Sequence, residues 1–145
     1  MHHGTVGVDD PVAVYPCDDA ACAVIRPLVY AKDHLNSVEA LYDVAAQQVA
    51  SYGYSTFGVP TGSVPSLQPY TYTAREWERT SQMYGYRHRH YDPNTGQFLQ
   101  MDPVGSQASS RYTYAFQNPT NYIDPFGLKA HQLKECDPCE KTIRF

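Results

Sequence analysis

The sequence predicts an all-β protein, built as an array of hairpins. Tyrosine dominates its aromatics, with 13 Tyr against one Trp, and tyrosine suits a half-buried pleated surface. Eleven Pro and nine Gly punctuate short apolar runs, as turns between strands require. Aromatic pairs recur at the strand period of two. Tyr52-Gly53-Tyr54, Tyr84-Gly85-Tyr86 and Tyr112-Thr113-Tyr114 start about 30 residues apart, and turn signals follow at Pro60, Asp92-Pro93 and Asn118-Pro119.

At 145 residues the chain has room for one modest core. Its formal charge is −4, with no basic run able to neutralise a stretch of phosphates, so nucleic acid is not expected as a partner. The apolar runs fall far short of the roughly 20 residues of a membrane helix. Met1-His2-His3-Gly4 lacks the charged and apolar regions of a signal peptide. Four cysteines fall as Cys17-x4-Cys22 and Cys136-x-x-Cys139. The second pair has zinc-ligand spacing, the first does not, and local disulfides or free thiols are the plainer expectation.

From the N-terminus, 1–66 reads as a degenerate repeat segment. Within it one stretch departs from the strand pattern. Val38, Leu41, Tyr42, Ala45 and Val49 fall at helical intervals behind Ser37 as N-cap, which predicts a short helix over 37–50. Pro60-Thr61-Gly62-Ser63-Val64-Pro65-Ser66 is a loop by composition and ends this part. Residues 67–128 follow as a second unit, dense in Asp-Pro turns. If Pro93-Asn94-Thr95-Gly96 is a four-residue hairpin loop, Asp92 pairs with Gln97, Arg89 with Gln100 and Arg87 with Asp102. Arg89 and Asp102 are then diagonal neighbours on one face. The charged residues 129–145 lack alternation and read as a tail.

The motifs in this second unit resemble the Rhs or YD-repeat proteins, specifically the Rhs repeat-associated core at the end of their β-shell. The resemblance rests on Arg75-Glu76-Trp77-Glu78, on Tyr86-Arg87-His88-Arg89-His90-Tyr91-Asp92-Pro93-Asn94-Thr95-Gly96, on Met101-Asp102-Pro103-Val104-Gly105 and on Asp124-Pro125-Phe126-Gly127-Leu128. His3-Gly4 to Pro11 and Asp33-His34-Leu35-Asn36-Ser37-Val38 are weaker matches. Several implications follow from the resemblance. The fold is a spiral of hairpins enclosing a C-terminal toxin, and 37–50 is strand-turn-strand, the reading adopted over the helix. The core cuts itself after Leu128, at the Leu128–Lys129 bond, and Arg89, Asp102 and Asp124 are the catalytic residues. The substrate is the chain's own C-terminal segment, and other shell repeats or strands are its partners. Delivery is to the bacterial surface or outside the cell. No cofactor or metal is implied.

Alone, Asp102-Pro103-Val104-Gly105 and Asp124-Pro125-Phe126-Gly127 are good β-turns whose carboxylates accept from turn amides. The chemistry nevertheless suits the set. Peptide hydrolysis needs a base to activate water and an acid to protonate the leaving nitrogen. Two adjacent carboxyls sharing one proton supply both, and which is which stays open. An arginine beside them favours the ionised partner and stabilises developing charge. Substrate and catalyst share one chain, so effective concentration replaces binding and the reaction runs once.

Around this set, Arg87 reads as a solvated edge charge. His88 and His90 read as exposed strand histidines rather than metal ligands. Ser109 and Ser110 lack triad partners. Gln97 stands where the family usually has arginine, and His90 where it has an aromatic. The 17 residues after Leu128 are too few for a toxin domain, so the chain reads as a shortened core fragment. Two other functions compete: a wall segment without chemistry, and a tyrosine-rich surface that binds carbohydrate or protein.

Overall fold

The computed structural model describes residues 2–7, 10–16, 27–62, 68–105 and 110–133. It is all-β, as the tyrosine content and turn spacing predict. β1 (His2–Gly7), β2 (Asp10–Tyr15), β3 (Leu28–Lys32), β4 (Val38–Tyr42) and β5 (Gln48–Ser51) form a five-stranded antiparallel meander in chain order. β6 (Gly53–Tyr54) pairs with β7 (Pro60–Thr61). The expected loop at 60–66 therefore begins with a strand, and 63–67 lie outside the described residues. β8 (Glu76–Glu78), β9 (Met83–Tyr86), β10 (Arg89–Asp92) and β11 (Gln97–Phe98) form a second sheet, again in chain order. β12 (Tyr122–Ile123) closes on β13 (His131–Gln132). Among the described residues no helix is long and apolar enough to cross a membrane.

The helix predicted over 37–50 is not formed: the segment is β4, a turn and β5. Val38 and Leu41 are fully buried, while Val49, which a helical face would bury, is 47% exposed. Asp43 makes the turn. Its amide donates to the Gln47 carbonyl, its own carbonyl accepts from Ala46, and its Oδ1 accepts from the Ala45 and Gln47 amides at 2.9 and 2.8 Å. Ala46 takes the left-handed φ of 58° that a glycine would ordinarily supply. Asp33 builds the same turn between β3 and β4, bonding the Leu35 and Ser37 amides, with Asn36 at φ 68°. Ser37 is no helix cap: its buried Oγ accepts from the Thr73 amide at 3.1 Å.

Two cores result. Val14, Leu28, Tyr30, Val38 and Leu41 fill the first sheet's face. The second core is mostly aromatic, with Leu35, Tyr72, Tyr84, Tyr86, Tyr91, Phe98, Tyr114 and Ala115 buried together. Each buried tyrosine of this core keeps a partner for its hydroxyl. Tyr84 donates to the Gly58 carbonyl at 2.6 Å, Tyr91 to Phe57 at 2.8 Å and Tyr72 to Thr56 at 2.9 Å. Tyr86 bonds Thr73 and Tyr114. Burial pushes the Tyr86 and Tyr114 hydroxyls well above their ordinary pKa.

Two further expectations need correction. The third aromatic pair does not open a hairpin: Tyr112 and Tyr114 flank a single bridge, Thr113 to Gln97, and lead into a 3-10 turn at Ala115–Gln117. The chain after Leu128 is not wholly a tail. β13 pairs with β12, the Leu133 amide donates to the Asn121 carbonyl at 2.8 Å, and Leu133 packs against the tyrosine core. Residues 134–145 lie outside the described residues, as do Cys17, Cys22, Cys136, Cys139 and Ser109.

Candidate functional site

Arg89, Asp102 and Asp124 meet. All three are buried, at 3, 4 and 2% exposure, so their charges must be compensated locally. The Arg89 Nη2 lies 3.2 Å from Asp124 Oδ2 and 3.6 Å from Asp102 Oδ2. The Arg89 Nε donates to the Gly127 carbonyl at 2.6 Å and Nη1 to the Arg111 carbonyl at 3.2 Å. Its guanidinium carbon sits 3.7 Å from the centre of the Phe98 ring, a cation–π contact in a desolvated setting. One side chain thus ties together β10, the Asp102 turn, the turn at Arg111 and the Asp124 turn.

Local structure explains how each residue arrives. Arg89 opens β10 directly after a two-residue loop, Arg87-His88, and pairs with Tyr86. Asp102 follows β11. Its amide donates to the Arg111 carbonyl at 3.0 Å, and its Oδ1 accepts from the Val104 amide at 2.9 Å. Asp124 follows β12 and heads the Asp-Pro-Phe-Gly turn, in which the Gly127 amide donates to the Asp124 carbonyl at 3.4 Å. Its Oδ1 accepts from the Leu128 amide at 3.0 Å and from the Lys129 amide at 3.1 Å. Both nitrogens flanking the Leu128 carbonyl are therefore held by one carboxylate oxygen. A cleft of about 250 Å³ opens here, lined by the three charged residues together with Val104, Thr113, Phe116, Leu128 and Lys129.

The hairpin that gathers this set is only partly the one expected. Asp92 does pair with Gln97 across the four-residue loop, and Asp92 Oδ1 caps the Asn94 amide at 2.9 Å. The ladder then stops at Tyr91 and Phe98. The expected pairs Arg89–Gln100 and Arg87–Asp102 are not formed, because the Gln100 side chain takes the His90 amide at 2.6 Å. Arg89 and Asp102 meet through the Arg111 carbonyl instead. Arg87 lies in the β9–β10 loop with its guanidinium 4.6 Å from the Phe126 ring centre. His88 and His90 are exposed, and the His90 ring meets Gln100 at 3.1 Å. Among the described residues no group of three metal-ligating side chains gathers. The Arg111 carbonyl carries no signal in the sequence, since any residue supplies one. Phe98 could have been found, because it alternates with Gln97 and so faces the core.

No family model matches the chain. It is 40% identical over 89 residues to the salivary gland surface protein 1 of Aedes aegypti, an overlap of 59% of this chain and 3% of that protein. It is 33% identical over 99 residues to the tRNA(Glu)-specific nuclease WapA of Bacillus subtilis subsp. natto, covering 62% of this chain and 4% of WapA. It is 34% identical over 65 residues to the toxin protein Tse5 of Pseudomonas aeruginosa, covering 44% and 5%. The chain thus spans a small fraction of these relatives. Among solved structures it matches TcdB2-TccC3 with TM-score 0.65 at 23% identity, over 71% of this chain and 5% of that one. It matches the Photorhabdus luminescens Tc holotoxin pore carrying TccC3-D651A with TM-score 0.69 at 18% identity, over 88% and 7%. The all-β fold is shared with these structures, and the similarities relate the chain to Rhs-type, toxin-associated proteins.

Proposed function

We propose that residues 67–128 act as a repeat-associated core that hydrolyses the Leu128–Lys129 bond of its own chain once. On this reading 1–66 is shell wall and 129–145 the segment cut away. One observation carries the reading: Asp124 Oδ1 lies 3.1 Å from the Lys129 nitrogen, which is the leaving atom of that bond. That proximity supports a role for Asp124 at the leaving group. Asp102, whose Oδ1 accepts from the Val104 amide and whose Oδ2 stands farther from Arg89, is left to the water.

Scission needs one carboxyl of the pair to carry a proton as the reaction starts, and Asp124 is the one beside the leaving nitrogen. Asp102 takes a proton from water as the oxygen adds to the Leu128 carbonyl carbon. The carbon–nitrogen bond then breaks while Asp124 gives its proton to the Lys129 nitrogen. The products are a Leu128 carboxyl and a Lys129 amine, and the pair again holds one proton. Arg89 fixes the Gly127 carbonyl one residue upstream and holds both carboxyls on one nitrogen, so the reacting groups are oriented before water arrives.

Mass analysis of the purified chain in denaturant tests this. Two species divided after Leu128 are expected. A single mass at full length after prolonged incubation ends the scission reading. A second reading, wall segment without chemistry that pairs with other shell strands, is supported by the fold match to TccC3-containing assemblies, which requires no active site. It gains if the chain stays whole and forms oligomers.

A further inference from the structure

We propose that Arg87 and Phe126 form an outer clamp that holds the Asp124 turn, with the Leu128–Lys129 peptide it carries, against Arg89. The inference rests on the scission reading and adds two positioning residues to it. Three observations converge. First, Arg87 occupies the first position of a two-residue hairpin loop at φ 55°, a conformation in which glycine is the ordinary occupant and a side chain is strained. A turn under selection for stability alone has no use for an arginine there.

Second, that arginine reaches across to the neighbouring turn. Its guanidinium lies 4.6 Å from the ring centre of Phe126, the third residue of the Asp-Pro-Phe-Gly turn. Phe126 is 44% exposed, so core packing does not explain its aromatic ring. The stack joins the loop that launches Arg89 to the turn that carries Asp124.

Third, the two turns already touch beneath the stack. A Cβ on Gly127, at φ 66°, would meet the Tyr86 carbonyl oxygen at 2.6 Å and the Arg89 nitrogen at 3.3 Å. Those are backbone atoms and cannot swing aside. The His88 amide also points at the Phe126 carbonyl, at 3.4 Å. Gly127 therefore permits the close approach, and the cation–π stack outside it resists the turns sliding apart. Sliding would draw Arg89 off Asp124 and off the Gly127 carbonyl.

Arg87→Gly separates positioning from structure. It relieves the strained φ and removes the clamp, so the variant should melt at or above the parent's temperature yet cleave about two- to fivefold more slowly, the worth of one exposed cation–π contact. Phe126→Leu should slow scission similarly, Phe126→Tyr should restore it, and the double variant Arg87→Gly/Phe126→Leu should be no slower than either single. In an Asp102→Asn background, where the bond stays whole, Arg87→Gly should raise amide hydrogen exchange at Leu128 and Lys129 by a similar factor. A parent that cleaves, with Arg87→Gly matching its rate and its exchange, overturns the clamp and leaves scission standing. A parent that never cleaves ends the scission reading, and the positioning role falls with it.

Discussion

Asp43 and Asp124 head the same turn. In each, the fourth residue of the turn takes a left-handed φ, Ala46 at 58° and Gly127 at 66°, and its amide returns to the aspartate carbonyl. In each, an aspartate oxygen accepts the amide of the fifth residue, at 2.8 Å from Gln47 and 3.0 Å from Leu128. Around Asp43 the same oxygen also takes the Ala45 amide, and the turn is largely exposed and joins two strands of a sheet with a mostly aliphatic core. Around Asp124 the turn is pressed onto the tyrosine core, its carboxylate is buried, Arg89 and Asp102 face it, and the oxygen reaches one amide further, to Lys129. The motif alone therefore does not define a site. Burial of an otherwise structural carboxylate beside a cation and a second carboxylate is what marks Asp124 as the candidate.

Substitutions can break that comparison. Asp124→Asn and Asp102→Asn should each slow scission by about 10²- to 10⁴-fold, the contribution of one general acid or base, while Asp43→Asn leaves the rate unchanged. Time courses by denaturing mass analysis read this, and an Asp43→Asn effect of similar size would erase the distinction. Gly127→Ala should destabilise by about 2–3 kcal/mol, because the new methyl meets backbone. The matching change in the other turn, Ala46→Gly, should stabilise by about 0.5–1 kcal/mol, since it relieves a strained φ with nothing packed against it. Chemical denaturation of the two variants side by side measures the contrast. A shared sign would refute it.

The cores beneath the turns differ in pH response as well. Tyr86 and Tyr114 ionise far less readily folded than unfolded, so the stability they contribute is complete below the unfolded value of about 10 and is lost as pH rises above it. Amide exchange should rise first around the Asp124 turn and later in the five-stranded sheet, where Tyr30 is the one tyrosine in the buried cluster. Simultaneous opening would show the two cores to be one cooperative unit.

Much of this was legible in the residues themselves. Aspartate, proline and glycine mark the turns, and the three charges that converge were singled out by the resemblance of their motifs to the Rhs repeat-associated core, since each aspartate alone reads as a turn residue. Two readings failed for definable reasons. The helical spacing over 37–50 arises because the β4 ladder shifts register between Leu41 and Tyr42, which breaks the alternation of two, and because Ala46 stands where a glycine would have announced the turn. The route by which Arg89 meets Asp102 was hidden because it runs through the Arg111 carbonyl, and because the Gln100 side chain interrupts the ladder after two pairs. Backbone acceptors and side-chain intrusions leave no periodic trace.

The short ladder of β12 and β13 brackets the candidate bond, with Leu133 set against the aromatic interior. A cut at Leu128 would consequently leave a nick, not a departure: the downstream piece stays stitched in place by strand pairing and an apolar anchor. Native sizing would report an undivided molecule, and only denaturant would reveal two chains.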